Sequence, residues 1–295
     1  MVAFHDASHR RHAAGFSADL TDPKRKKISE SWFKRDTADY WRHARSYEIA
    51  KILGGQPGEK WLTVGDGRFG LDSIRLREAG VAEVMPTDIS EDLLKAAQEQ
   101  GLMTRYRVEN AERLTFPDHA FDFVFCKESF HHFPRPMLAL YEMLRVSTKG
   151  VILIEPNDRS RSVLRRAKAA LNAVLGRRAH MDALSYEEDG NYIFSISRRE
   201  IEKVALGLNM PQVAFKGFND FYCAGVEFAA IDSALGKKMR RRIAFKDMLC
   251  SMGLDEPALL MAGLFHFPLG EREKAAMSAQ GWQVVDLPRN PYHPD

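Results

Sequence analysis

The chain has 295 residues, a formal net charge of +3, and 45% apolar and 28% charged side chains. That is the make-up of a soluble globular protein with material for one large α/β domain or two small ones. So small a charge excess does not by itself argue for a nucleic-acid binder. Cys126, Cys223 and Cys250 are odd in number and form no CxxC pair. This argues against a disulfide framework or a structural zinc and fits a reducing cytoplasm, the expected location. The first twenty residues lack the apolar core of a secretory signal. The longest apolar stretch, 258–267, contains His266 and is too short to cross a bilayer.

In chain order, residues 1–28 are polar, carry the run Lys24-Arg25-Lys26-Lys27 and are expected to form a flexible arm. Residues 29–56 place Trp32, Phe33, Tyr40, Trp41 and Tyr47 at helical spacing before Gly54-Gly55 and Pro57-Gly58 stop the pattern. This segment is read either as a lid or as packing against the body of the protein. From Trp61 strands and helices alternate. Strands are expected at 61–64, 83–87, 105–108, 121–126 and 151–155, with helices near 71–79, 90–100 and 136–146. Alternation of this kind implies right-handed crossovers and a parallel sheet over 57–158. Beyond Pro156 comes an insertion, 159–196, with a basic helix over 159–178 and an acidic loop over 182–191. The remainder, 197–295, holds a helix that Ser197 and Glu200 open as a capping box, a strand at 212–218, a basic helix at 237–250, the apolar segment at 258–267 and a Pro-rich tail.

Val64-Gly65-Asp66-Gly67-Arg68-Phe69-Gly70 joins the first strand to the first helix, and Asp88 ends the second strand. Glycines at such a turn admit close approach of a ligand, and a carboxylate at the next strand tip is placed for a ribose diol. An adenosine-containing ligand is expected. The spacing of Gly65, Gly67 and Gly70 formally meets the dinucleotide pattern, and the lysine of a P-loop is absent.

Asn110-Ala111-Glu112-Arg113-Leu114 with Phe121-Asp122-Phe123-Val124, His131-His132-Phe133-Pro134 and Gly150-Val151-Ile152-Leu153-Ile154-Glu155-Pro156 follow in order. Together they resemble the signature of class I S-adenosylmethionine-dependent methyltransferases, including the UbiE-like small-molecule members. The likeness runs from about Trp61 to Pro156. It implies a Rossmann-like doubly wound sheet, mostly parallel with an antiparallel last strand, preceded by N-terminal helices and carrying a helical insertion. It also implies S-adenosylmethionine as cofactor and S-adenosylhomocysteine as product, with no metal expected.

By that resemblance Gly65, Asp66, Gly67 and Arg68 wrap the methionine end and Asp88 accepts the ribose hydroxyls. Ile89 stacks on adenine, Asn110 and Ala111 face its amino edge, and Glu112 belongs to the same cofactor-binding set. Lys127 and Tyr40 complete the cofactor set. The chain departs from the family pattern at Thr63, where a carboxylate is usual, and at Asp66 and Phe69. Asp66 is therefore expected to meet the cofactor's ammonium group. His131, His132 and Glu128 are the candidate bases for a hydroxyl acceptor, and Glu155, Asn191 and Tyr192 the candidate acceptor contacts. Glu155 with Asn157 and Asp158 suggests a magnesium site less well than it suggests a helix cap.

The acceptor class expected is a hydroxyl of a sugar, polysaccharide or small metabolite, in the manner of bacterial surface-polysaccharide or natural-product methylation. The rival readings are N-methylation of a small molecule or nucleic acid, and a catalytically silent cofactor-binding protein. A nucleic-acid acceptor lacks the Asn/Asp-Pro-Pro-Tyr/Phe motif after the fourth strand. The basic helix 159–178 is read as a solvated face or as a contact with a membrane or anionic acceptor.

Overall fold

The computed structural model describes residues 2–176, 186 and 192–292. Helices α1 (Val2–Thr21), α2 (Pro23–Ser31), α3 (Ala38–Ala44) and α4 (Glu48–Leu53) precede the sheet. The polar arm expected over 1–28 is thus helical. Asp22 caps α2 by accepting from the Lys24 and Arg25 amides at 3.0 and 2.9 Å, with Pro23 opening the first turn. Helix α1 carries no apolar stripe, which is why periodicity did not reveal it.

The strands and helices that follow are β1 (Lys60–Val64), α5 (Leu71–Glu78), β2 (Glu83–Asp88), α6 (Asp92–Glu99), β3 (Arg107–Val108), β4 (Phe121–Lys127), α7 (Pro136–Val146) and β5 (Ser147–Pro156). Then come α8 (Val163–Val174), α9 (Arg198–Gly207), β6 (Gln212–Phe218), α10 (Ala234–Ser251), β7 (Leu259–Phe265), α11 (Glu271–Ala279) and β8 (Gln283–Asp286). The eight strands form one sheet in the order β3-β2-β1-β4-β5-β7-β6-β8. The first five positions pair in parallel, and β7 runs antiparallel to both β5 and β6. This is the Rossmann-like, mostly parallel sheet with a reversed late strand that the sequence implies. Strand β8, antiparallel to β6, and helix α11 lie where only a tail was expected.

The central strands are apolar on both faces because helices cover both. Trp61, Phe123, Phe125, Ile152 and Ile154 alternate onto one side, with Ile49 of α4 and Leu76 of α5. Leu62, Val124, Cys126, Val151 and Leu153 alternate onto the other, with Leu140 and Met143 of α7. The β5–β7 contact is close. A Cβ on Gly150 would stand 2.3 Å from the Leu264 carbonyl oxygen.

The chain turns to β2 on one side of β1 and to β4 on the other. This reversal leaves a crevice at the carboxyl ends of β1 and β4, the usual ligand position in such sheets. The helix expected over 159–178 starts at Val163, because Ser162 caps it by accepting from the Arg165 amide at 3.2 Å. Most of the acidic loop lies outside the described residues. Among the described residues, no helix is long and apolar enough to cross a membrane.

Candidate functional site

Two spaces open at the carboxyl ends of β1, β2 and β4, and both are walled by Gly65, Ser129 and His132. The larger holds about 520 Å³ and the smaller, a slot, about 40 Å³.

The glycine turn divides them. Gly65 has φ +77°, and a Cβ there would stand 2.3 Å from that of Ser129, whose hydroxyl donates to the Gly65 carbonyl at 2.7 Å. The β1 and β4 loops therefore touch only because residue 65 has no side chain. Asp66 is buried at the wall of the larger cavity, and its carboxylate is engaged within the turn. Its two carboxylate oxygens accept from the Asp72 and Ser73 amides at 2.9 Å each, and the Thr63 hydroxyl donates to it at 2.8 Å. The carboxylate missing at position 63 has in effect moved to 66, where it satisfies the first amides of α5. Phe69, where a third glycine is usual, holds a left-handed φ of +58°. Its ring packs edge-on against Trp32 and Phe33 and so ties the N-terminal helices to the turn.

The slot is walled by Val64, Asp88, Ile89, Asn110, Ala111 and Phe133, with Ser8 and His9 of α1 closing over it. The Asp88 carboxylate accepts from the Ser90 amide at 2.8 Å. Burial pushes its carboxyl up to about 7, against the pull of backbone N–H groups from Ser90, Gly67 and Ile89. A ribose diol donating to this carboxylate would supply the stabilisation that burial removes. Asn110 turns its amide oxygen to the Glu112 backbone N–H at 2.9 Å. Glu112 walls the slot, but its carboxylate is held by the Arg135 amide and guanidinium at 2.6 and 2.7 Å. A flat apolar slot with a buried carboxylate at its mouth fits an adenosyl group.

The larger cavity is charged. Arg68 lies over the Trp32 ring at 5.0 Å, and Arg75 over Tyr40 at 4.0 Å. Lys127 is buried and donates to Glu128 at 2.5 Å. Burial alone would raise the Glu128 carboxyl, but the charges of Lys127 and Arg42 hold it well below the usual range. Asp72 is raised by burial and bonded by the Tyr47 hydroxyl. Arg68, Arg75 and Lys127 would hold the carboxylate of an amino-acid tail, and Asp72 and Glu128 its ammonium group.

His131 and Glu155 form a dyad, with Nδ1 2.6 Å from Oε2. Glu155 is fully buried, and its other oxygen accepts from the Ser129 and Phe130 amides at 3.0 Å each. It is therefore a carboxylate that positions the β4 loop and His131, not the acceptor contact expected of it. His132 stacks beside His131, the ring centres 4.1 Å apart, and both line the larger cavity. Asn157 and Asp158 belong to a separate depression with Arg161 and Arg198. Among the described residues, no group of three or more His, Cys, Asp and Glu is arranged to hold a metal.

Tyr192 is 54% exposed, pairs with Tyr186 and does not wall the cavity, contrary to its expected acceptor role. Asn191 lies outside the described residues. The far wall is built instead by Asp39, Arg42 and His43 of α3 and by Tyr222 and Glu227 after β6. Burial, then the charges of Lys127 and Arg42, push the His43 imidazole well below its usual value, so it is neutral at pH 7. Sequence reasoning missed Asp39, His43, Tyr222 and Glu227. They come from segments with no motif, and only the fold brings them to the cavity.

Residues 62–154 match a family model described as a methyltransferase domain. The ubiquinone/menaquinone biosynthesis C-methyltransferase UbiE of Cupriavidus necator is 33% identical over 111 residues, or 36% of this chain and 45% of that protein. Its namesake in Paraburkholderia phytofirmans is 27% identical over 172 residues, or 55% of this chain and 69% of that one. The chain thus spans a little under half the length of the first of these relatives. Among solved structures, the YcgJ protein of Bacillus subtilis shares the fold with a TM-score of 0.50 at 18% identity, covering 77% of this chain and 99% of that one. With the glycine turn, Asp88, Asn110 and the β4 loop on one ligand crevice, residues 62–154 are a class I S-adenosylmethionine-dependent methyltransferase domain.

Proposed function

We propose that the protein transfers a methyl group from S-adenosylmethionine to a hydroxyl of a sugar, polysaccharide or small metabolite. The cofactor, when bound, supplies a methyl group already activated on cationic sulfur. The chain then has to align the acceptor and take its proton. The observation that carries the reading is the His131–Glu155 dyad on the cavity wall next to the glycine turn. Glu155 holds the ring through Nδ1 and so sets its orientation, as in other carboxylate-oriented histidine bases. Glu128 is the weaker candidate, because Lys127 and its neighbours stabilise the carboxylate and so lower its basicity.

His131→Ala should lower kcat by roughly 10²–10⁴-fold while changing affinity for S-adenosylhomocysteine by less than about threefold. Turnover is followed by mass spectrometry with isotopically labelled methyl donor over a panel of hydroxyl acceptors. Unchanged kcat would remove His131 from the chemistry, and cofactor binding with no turnover on any acceptor would favour the silent reading. A second reading has the methyl group delivered to a ring carbon of a phenolic acceptor, and the partial match to C-methyltransferases favours it. A phenol also needs its proton removed, so the position of the label in the product separates the two.

A further inference from the structure

We propose that α8 and α10 form a surface that docks on an anionic lipid bilayer. Helix α8 buries none of its residues. Leu164, Leu171, Val174 and Leu175 share one side of it, and Val174 is 83% exposed. Arg165 and Arg166 project away from that side, Lys168 stands on its flank, and no acid stands anywhere in residues 163–176. An apolar face bordered by basic side chains and free of acids is the pattern of a helix that lies in a membrane interface.

A second stripe adjoins it. Lys238, Arg241, Phe245, Met248 and Met252 follow one another at helical spacing along α10, basic at its start and apolar at its end. Phe245, Met248 and Met252 are all exposed, Met252 by 61%. The start of α8 is fastened to the end of α10. The Leu164 amide donates to the Leu254 carbonyl at 3.1 Å, and the Ser162 hydroxyl to Asp255 at 2.6 Å. The apolar end of α10 therefore lies beside the first turn of α8.

Charge decides the occupant. A second copy docked face to face would set two basic rims against each other, which is unfavourable in a self-complementary contact. A leaflet rich in anionic headgroups offers negative charge at the rim and hydrocarbon at the centre. The inference does not depend on the methyl-transfer reading.

The test is co-sedimentation of the full chain with vesicles of phosphatidylcholine alone and of phosphatidylcholine with about a third phosphatidylglycerol. Binding is expected only to the anionic vesicles and should weaken at high salt. Leu171→Asp with Val174→Asp should lower the partition coefficient at least about tenfold, as should Arg165→Gln, Arg166→Gln and Lys168→Gln together. Calorimetry with S-adenosylhomocysteine on the same variants should give wild-type affinity. This shows that they are folded and separates failure of the docking surface from failure of the cofactor site. Equal binding to both vesicle types, or to neither, would overturn the proposal. So would a concentration-dependent dimer that Leu171→Asp dissociates, which would make the face a protein interface.

Discussion

Moving one carboxylate three positions along a turn changes what that turn does. With Thr63 in place of the usual acid, Asp66 becomes the group that satisfies two buried amides at the start of α5. Asp66→Ala should therefore act mainly on stability, costing about 1–3 kcal/mol for the lost bonds, as read by chemical denaturation. A large loss of cofactor affinity without loss of stability would contradict this assignment. Asp88 behaves differently. Its carboxyl titrates at about 7 in the folded protein against an ordinary 3.8, so the ligand-free protein binds this proton more tightly than the unfolded chain does. A ribose diol binds the ionised form. Affinity for S-adenosylhomocysteine should thus fall about tenfold per unit as the pH drops below about 7, and Asp88→Asn should abolish that dependence. Calorimetry over a series of pH values reads both outcomes. A flat profile in the wild type would mean that the diol does not meet this carboxylate.

At the scale of elements, what was legible had a physical signature. Helix α7 runs over Pro136–Val146 as its proline start and apolar spacing predict, and β6 over Gln212–Phe218 as its apolar run predicts. Strand β8 has only four residues, none buried, and α11 buries Met277 alone, so neither leaves a pattern strong enough to read. The wall of the cavity built by α3 and the segment after β6 was illegible for another reason. Tyr222 and Glu227 come to the same cavity as Asp39 and His43 only through the fold, far along the chain from any motif. Phe69 shows how such long-range links are made, since its left-handed backbone aims the ring at Trp32 and Phe33. Phe69→Ala should cost about 3 kcal/mol in lost packing, and Phe69→Gly about 1 kcal/mol less because glycine removes the backbone strain. Amides of α2 should then exchange faster with solvent in both variants. Unchanged exchange there would show that the turn does not hold the N-terminal helices.

The whole molecule joins a parallel half that carries the ligand crevice to an antiparallel half, β5-β7-β6-β8, that widens the sheet. N-terminal helices wall both spaces of the crevice, α1 at the slot and α2 and α3 at the larger cavity. The cofactor side was readable because glycine, aspartate and asparagine must recur at strand tips to hold an adenosyl group. The acceptor side answers to a substrate and not to the fold, and no such rule applies to it. The central claim is that this crevice binds S-adenosylmethionine through Asp88. It is tested most directly by titrating S-adenosylhomocysteine into the wild type and Asp88→Ala in a calorimeter. Binding to the wild type and a loss of about a hundredfold in the variant is the predicted result, the worth of two hydrogen bonds to a charged group. No binding to the wild type, or equal affinity in the two proteins, would contradict it.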